Sequence, residues 1–314
     1  MAQPETAQPL RVAAPAKINL HLRVGPPRAG DGFHPLMSWM VTVGLFDNLE
    51  FTLTDTPGVR LTCDDPAIPT DASNLVVKTA TGLLDAANLA SSTGVDIALQ
   101  KRIPAGAGLG GGSSDGAVTL LALNKLLNLN WSPDRLAALA SRYGSDLAFF
   151  CHGPSSICTG RGEIVRPTPH PTPRHAVLIL PGIHMPTPAV YRRFDELLRP
   201  RHADFAAEDY SSWPVLTAQE LLPKLTNDLE PPAFSLSEPL EQLHARATKI
   251  LGDRIVRMSG SGSTLFTLYD TRDEAETNAA QLRLTLGVNV QAVELAPPPR
   301  EMNTTAARTP RKGE

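Results

Sequence analysis

Apolar residues alternate with polar or small ones in several short stretches. Ile18, Leu20, Leu22 and Val24 recur at every second position, the period of a half-buried strand, and predict a strand over 17–24. Leu49, Phe51 and Leu53 predict another at 49–54, and Val95, Ile97 and Leu99 a third at 95–100. Asn74 stands at a helix start, ahead of Leu75, Leu83, Leu84 and Ala87 at helical spacing. A second amphipathic helix, holding Val118, Leu121 and Leu126, follows a cluster of glycines and serines. The first half of the chain therefore reads as mixed α and β.

The second half repeats the mixture behind a proline-rich connector. Of 29 prolines, thirteen fall between Pro167 and Pro239, and Pro167, Pro169, Pro171 and Pro173 alternate. Each proline fixes its own φ and biases its predecessor away from helix, so this stretch is extended and marks a boundary. Beyond it, 175–180 reads as a buried strand, 188–198 as a helix with Pro188 in its first turn, and 237–251 as a helix behind Ser237. Strands at 254–258 and 264–269, a helix at 273–285 and a strand at 288–295 complete an antiparallel sheet covered on one face by helices. The expected domains are 10–166 and 174–296, with the polar ends 1–9 and 297–314 expected to be disordered.

Composition narrows the function classes. At roughly 150 residues per domain, 314 residues suit two domains. Lys and Arg number 29 against 32 Asp and Glu, which gives a formal charge of -3 and no global handle for nucleic acid or acidic membranes. No stretch reaches the length of an apolar membrane span, and residues 1–9 have neither a cationic start nor an apolar core, so a protein neither secreted nor membrane-spanning is expected. Three cysteines without a C-x-x-C pair suggest neither a disulfide framework nor a zinc knuckle, so a cytoplasmic protein is expected. His152, His170, His175, His184 and His202 show no metal-ligand spacing, and no protein-held metal is expected.

The candidate chemistry lies at 103–119, between the strand 95–100 and the helix after it. Five glycines in the seven positions 106–112 let the backbone take positive φ and turn successive N–H groups into one concavity. The following helix aims its positive end at the same place, and Ser113 and Ser114 supply hydroxyls to cap it, contact a phosphate or ligate phosphate-bound Mg²⁺. The competing reading is a glycine hinge with an ordinary serine cap. A Walker loop is disfavoured because no Lys follows these glycines. A dinucleotide fingerprint is met formally by Gly106, Gly108 and Gly111, but the acid at the right distance, Asp134, opens a helix instead of ending a strand.

Three stretches in order resemble the GHMP family of small-molecule kinases: Pro15-Ala16-Lys17-Ile18-Asn19-Leu20, Pro104 to Ser114, and Met258 to Thr264. Finer details are similar to a branch whose acceptor alcohol carries a cytidine diphosphate group. They are Asp31-Gly32-Phe33-His34, the triple glycine 110–112, Gly144-Ser145-Asp146, Pro186-Thr187-Pro188 ahead of Tyr191, and Asn227-Asp228. The chain departs from that pattern at Phe33, where Tyr is usual, and at Pro35, where an acid often follows the histidine.

The resemblance implies an α+β fold of two domains, the first like ribosomal protein S5 domain 2 and the second ferredoxin-like, with the site in the cleft between them. It implies ATP as co-substrate with Mg²⁺, and a monomer or weak homodimer binding neither nucleic acid nor membrane. Phosphoryl transfer to an alcohol needs a proton acceptor and a cation at the γ-phosphoryl group. The resemblance assigns these roles to Asp146 and Lys17, where the residues alone would read as a helix cap and an exposed strand lysine. It assigns the nucleotide to Lys101, Pro104, Gly106, Gly108, Leu109, Gly110, Gly111, Gly112, Ser113 and Ser114, although Lys101 also reads as a solvated strand end. Asn19, Thr187, Gly260, Ser261 and Gly262 would meet the acceptor, with Phe33 and Tyr191 stacking on its cytosine and His34 reading the base edge. A kinase for another alcohol, of mevalonate or homoserine type, and a non-catalytic nucleotide sensor are the alternatives.

Overall fold

A computed structural model describes residues 8–30, 32–198, 209–252 and 254–298. The expected disorder of the two ends falls almost wholly outside these residues, as does Asp31.

The first alternation extends back to form β1 (Leu10–Val24), which pairs antiparallel with the long β2 (Leu36–Thr54). The first half of β2 escaped periodic reading because Ser38 through Val43 are all buried. Met40 packs toward the helices, whereas Trp39, Val41 and Val43 pack toward the second sheet, so neither face is polar. β3 (Gly58–Cys63) lies parallel to β4 (Gly94–Gln100), and β4 pairs with residues 48–54 of β2. Residues 36–41 on the same edge of β2 pair with β5 (Ser155–Gly160), followed outward by β6 (Ile164–Pro167). The stretch of β2 between these two partners carries Asp47, whose Oδ1 accepts the N–H groups of Arg102 and Ile103. That anchor starts the glycine-rich segment from the middle of the sheet.

Helices α1 (Leu75–Ala86), α2 (Gly111–Leu126), α3 (Pro133–Ala140) and α4 (Leu147–His152) cover one face. Asn74 caps α1 as expected, its Oδ1 accepting from Val76 N. The second sheet has the order β10 (Asn289–Glu294), β7 (His175–Leu180), β9 (Leu265–Tyr269), β8 (Arg257–Met258), antiparallel throughout. With α5 (Thr187–Leu198), a short α6 (Ala218–Leu221), α7 (Glu230–Leu236), α8 (Glu238–Leu251) and α9 (Arg272–Leu286), the unit is ferredoxin-like.

Both faces of this second sheet are covered. Val177 and Ile179 face the helices with Leu240, Ala275 and Leu282, whereas Ala176 and Leu178 join Ile18, Trp39 and Val43 of the first sheet. The continuous apolar run HAVLIL follows from that double burial. Segment 226–228 also pairs with β1 at Leu22, stitching the halves by backbone bonds. Among the described residues, no helix is long and apolar enough to cross a membrane.

Candidate active site

β1 is irregular where its chemistry lies. Its register against β2 shifts between Pro15 and Ala16 and again between Asn19 and His21, so Lys17 and Asn19 sit between two bulges. Bulges re-aim side chains, and here both point into a cavity of about 470 Å³ between the glycine-rich segment, the first sheet and the second half. Lys17 is buried, with Nζ 2.6 Å from Asn19 Oδ1, 3.2 Å from the Gly108 carbonyl and 3.5 Å from Asp146 Oδ2. Asn19 Nδ2 donates to Ser38 Oγ at 2.9 Å. Asn19, expected to meet the acceptor, is thus committed to holding the lysine while still lining the cavity.

Asp146 stands at the start of α4, as expected, but its side chain makes no capping bond. Its carboxylate is one-third exposed and turned to Lys17, so the plain-cap reading fails. The field of Asp146 reaches Tyr191, whose hydroxyl pKa is pushed up by burial and then by this negative charge.

The glycine-rich segment turns through Gly106, Gly108 and Gly110 at φ of 66°, 77° and 69°. Gly110 is the N-cap of α2, so Ser113 and Ser114 lie within the first turn and neither caps the helix. The helix start is left without a side-chain acceptor, and Gly110, Gly111, Gly112 and Ser113 line the cavity, a geometry suited to an anion. Ser114 is buried and its Oγ has no hydrogen-bond partner among the described residues. Leu109 is a core residue, not a cavity residue, and its carbonyl accepts the Lys17 N–H.

Lys101 is not a solvated strand end. Its Nζ lies 2.5 Å from Asp47 Oδ2 and 2.8 Å from Asp115 Oδ2, and all three residues are buried or nearly so. Burial works against the ammonium, but the two carboxylates outweigh it and raise the lysine pKa. Burial pushes Asp115 up to about 7, with Lys101 opposing and Asp47 reinforcing the rise. Sequence reasoning missed both acids. Asp47 shares the inward face of Leu49 and Phe51, and an acid at an inward register position was the available signal. Asp115 had none.

The second half closes the cavity through the turn after β8. Ser259 Oγ donates to the Gly108 carbonyl, Thr264 N to the Ala107 carbonyl, and Asn227 Nδ2 to the carbonyls of Met258 and Gly260. Gly260 and Ser261 line the cavity, and Ser261 Oγ is 2.8 Å from Thr187 Oγ1 at the start of α5. Gly262 is buried in the turn behind them. Among the described residues the wall includes Thr187 and Tyr191 but not Phe33 or His34. His34 Nε2 is 2.9 Å from Asp195 Oδ1, with its ring 5.2 Å from that of Tyr191. Phe33 is 51% exposed. Ile68, Leu75, Leu99 and Ile103 add an apolar part to the cavity lining, which sequence reasoning also missed.

A glycine-lined helix start facing a lysine–aspartate pair offers an anion pocket beside a carboxylate, and comparison with known proteins identifies the family. The chain belongs to the GHMP kinase family: residues 74–154 match the GHMP kinases N terminal domain and residues 195–286 the GHMP kinases C terminal domain. Within it, the chain is 38% identical over 266 residues to 4-diphosphocytidyl-2-C-methyl-D-erythritol kinase of Desulfotalea psychrophila, covering 84% of this chain and 87% of the relative. A crystal structure of 4-(cytidine 5'-diphospho)-2C-methyl-D-erythritol kinase superposes with a TM-score of 0.71 at 37% identity, covering 91% of this chain and 99% of that one. Homoserine kinase from Cytophaga hutchinsonii shares the fold, with a TM-score of 0.68 at 18% identity over 96% of this chain and 99% of its own.

Proposed function

We propose that the protein transfers the γ-phosphoryl group of ATP to the 2-hydroxyl of 4-diphosphocytidyl-2-C-methyl-D-erythritol, a step of non-mevalonate isoprenoid precursor synthesis. The observation that carries this reading is the Asp146–Lys17 pair at 3.5 Å, standing between the phosphate-type loop and the turn at Gly260 and Ser261. The names of relatives that align over more than four-fifths of the chain supply the acceptor.

In this reading the adenine occupies the apolar part of the cavity at Leu75 and Ile103, and the triphosphate lies along residues 106–113. The acceptor hydroxyl gives its proton to Asp146 as its oxygen bonds to the γ-phosphorus, and the bond to the β-phosphate oxygen breaks to release ADP. Lys17, fixed by Asn19 and Gly108, offers its remaining N–H to the transferred oxygens at no cost of reorganisation. Oxygen donors are what the cavity offers a metal, which suits Mg²⁺ arriving on the nucleotide: Ser113 and Asp146 would complete a shell made mostly of phosphate and water. Tyr191 and Thr187 serve the acceptor side, with Phe33 and His34 at its mouth.

An ATP-dependent assay across a panel of alcohols tests the reading. Turnover is expected with the cytidine diphosphate-linked acceptor and not with mevalonate or homoserine. Preference for a simple alcohol would replace the acceptor assignment, and absence of turnover with every alcohol would leave a nucleotide sensor.

A further inference from the structure

We propose that Ser38 is a positioning residue for Lys17, acting through the side-chain amide of Asn19; the assignment rests on the role of Lys17 proposed above. Ser38 lies on β2 and is fully buried. It pairs in register with Leu22, and across the register shift between Asn19 and His21 its hydroxyl meets two groups of β1. Ser38 Oγ accepts from Asn19 Nδ2 at 2.9 Å and donates to the His21 carbonyl at 2.8 Å.

Donors and acceptors give this chain of bonds a single direction. An ammonium has N–H groups to donate and no lone pair, so the Lys17 Nζ contact at 2.6 Å requires the Asn19 oxygen on that side. The Asn19 NH2 then faces Ser38, whose oxygen has to accept. A hydroxyl has one hydrogen, and because the His21 carbonyl takes it, Ser38 cannot turn and offer it to Asn19. The hydroxyl therefore fixes which way the amide faces, and the amide fixes the ammonium. Lys17, Asn19 and Ser38 are all buried. Without Ser38 the Asn19 NH2 is left unpaired, and a rotation that finds it another partner carries the oxygen away from Lys17. The other anchor of the lysine is held from the second half: Ser259 Oγ donates to the Gly108 carbonyl at 2.9 Å and accepts from Asn19 N at 3.2 Å. With two N–H groups so directed, the third is left on the side of Asp146, 3.5 Å away, where the transferred oxygens arrive in the proposed reaction.

The test is steady-state kinetics of Ser38→Ala, Ser38→Thr and Ser38→Val with ATP and the cytidine diphosphate-linked acceptor, beside Asn19→Ala and the double variant Ser38→Ala, Asn19→Ala. Threonine keeps the hydroxyl, and valine has the shape of threonine without it. Ser38→Ala and Ser38→Val should lower kcat about 5- to 100-fold, the loss expected when a buried donor is left unpaired, with the ATP KM within about 3-fold. Ser38→Thr should keep kcat within about 3-fold of wild type, which is the rescue a packing role would not single out. In the Asn19→Ala background, adding Ser38→Ala should alter kcat by less than about 2-fold, because the path to Lys17 is already cut. Independent, multiplying losses in the double variant would overturn the proposal, as would kcat near wild type in Ser38→Ala or equal kcat in Ser38→Thr and Ser38→Val. Thermal unfolding of each variant separates loss of fold from loss of turnover; should Ser38→Ala fail to fold, the threonine and valine variants carry the same comparison. In each of these outcomes the wild-type enzyme still turns over the acceptor and the proposed function stands. A wild-type enzyme inactive on every alcohol would remove the role of Lys17 and, with it, that of Ser38.

Discussion

Two carboxylates in this cavity are held by lysines, and they differ in what they are free to do. Asp146 meets Lys17 at 3.5 Å and keeps a third of its surface open, so a substrate hydroxyl can reach it. Asp146→Asn keeps the shape but removes the proton acceptor of the proposed reaction; kcat should fall at least about 100-fold with little change in ATP affinity. A variant with near wild-type kcat would reduce Asp146 to a helix-start residue. Asp115 is shut in, with Oδ1 unpartnered among the described residues and its pKa raised by burial to about 7. A carboxyl group raised in the fold contributes stability that is full below its unfolded value of 3.8 and lost as the pH rises through about 7. Asp115→Asn removes that dependence. The Tm of the wild type relative to Asp115→Asn should therefore decline between about pH 4 and pH 7 and level off above, and parallel profiles would contradict the assignment.

At the scale of elements, the decisive contact is between the segment 106–110 and the turn after β8. Gly108 has φ of 77°, and a Cβ there would collide with the Ser259 carbonyl oxygen. Gly108→Ala meets both strain and a backbone clash; it should cost about 1–3 kcal/mol and raise the ATP KM, read by thermal unfolding and kinetics. Gly112→Ala is the contrast. Its Cβ would rest 3.8 Å from Leu75 Cδ1 inside a helix, so stability should hold or rise by about 0.4–1 kcal/mol. Equal destabilisation by both would mean that the loop–turn contact is unimportant. The glycine-rich turn was legible in the sequence because glycine spacing and a following helix are local properties. The fate of Lys101 was not, because nothing near it in sequence shows that Asp47, on another strand, waits beside it.

The whole molecule is joined by a core that belongs to neither half. Phe266, Leu178, Trp39 and Ile18 pack in one cluster between the two sheets. Phe266→Ala should cost about 3–5 kcal/mol, and both halves should be lost in one urea transition rather than two. A second transition, with the first sheet intact, would show independent folding. The same shared core explains why the first half of β2 was silent to periodic reading: burial on both faces erases alternation.

What the sequence determined by itself was whatever depends on neighbours along the chain: the strand alternation at 17–24 and 95–100, the Asn74 cap, the glycine turns and the helix start behind them. It also carried the motif resemblance, which named Lys17 and Asp146 one by one. Only the tertiary structure decided that Lys17 is buried between Asn19, Gly108 and Asp146, that the Asp146 side chain leaves its helix uncapped, and that Arg161 meets Phe33. Each of these is a through-space meeting of charges or rings from separate elements. Backbone preferences act over a few residues, whereas the energy of such a pair is set by distance and burial, and both exist only once the two sheets have closed on each other.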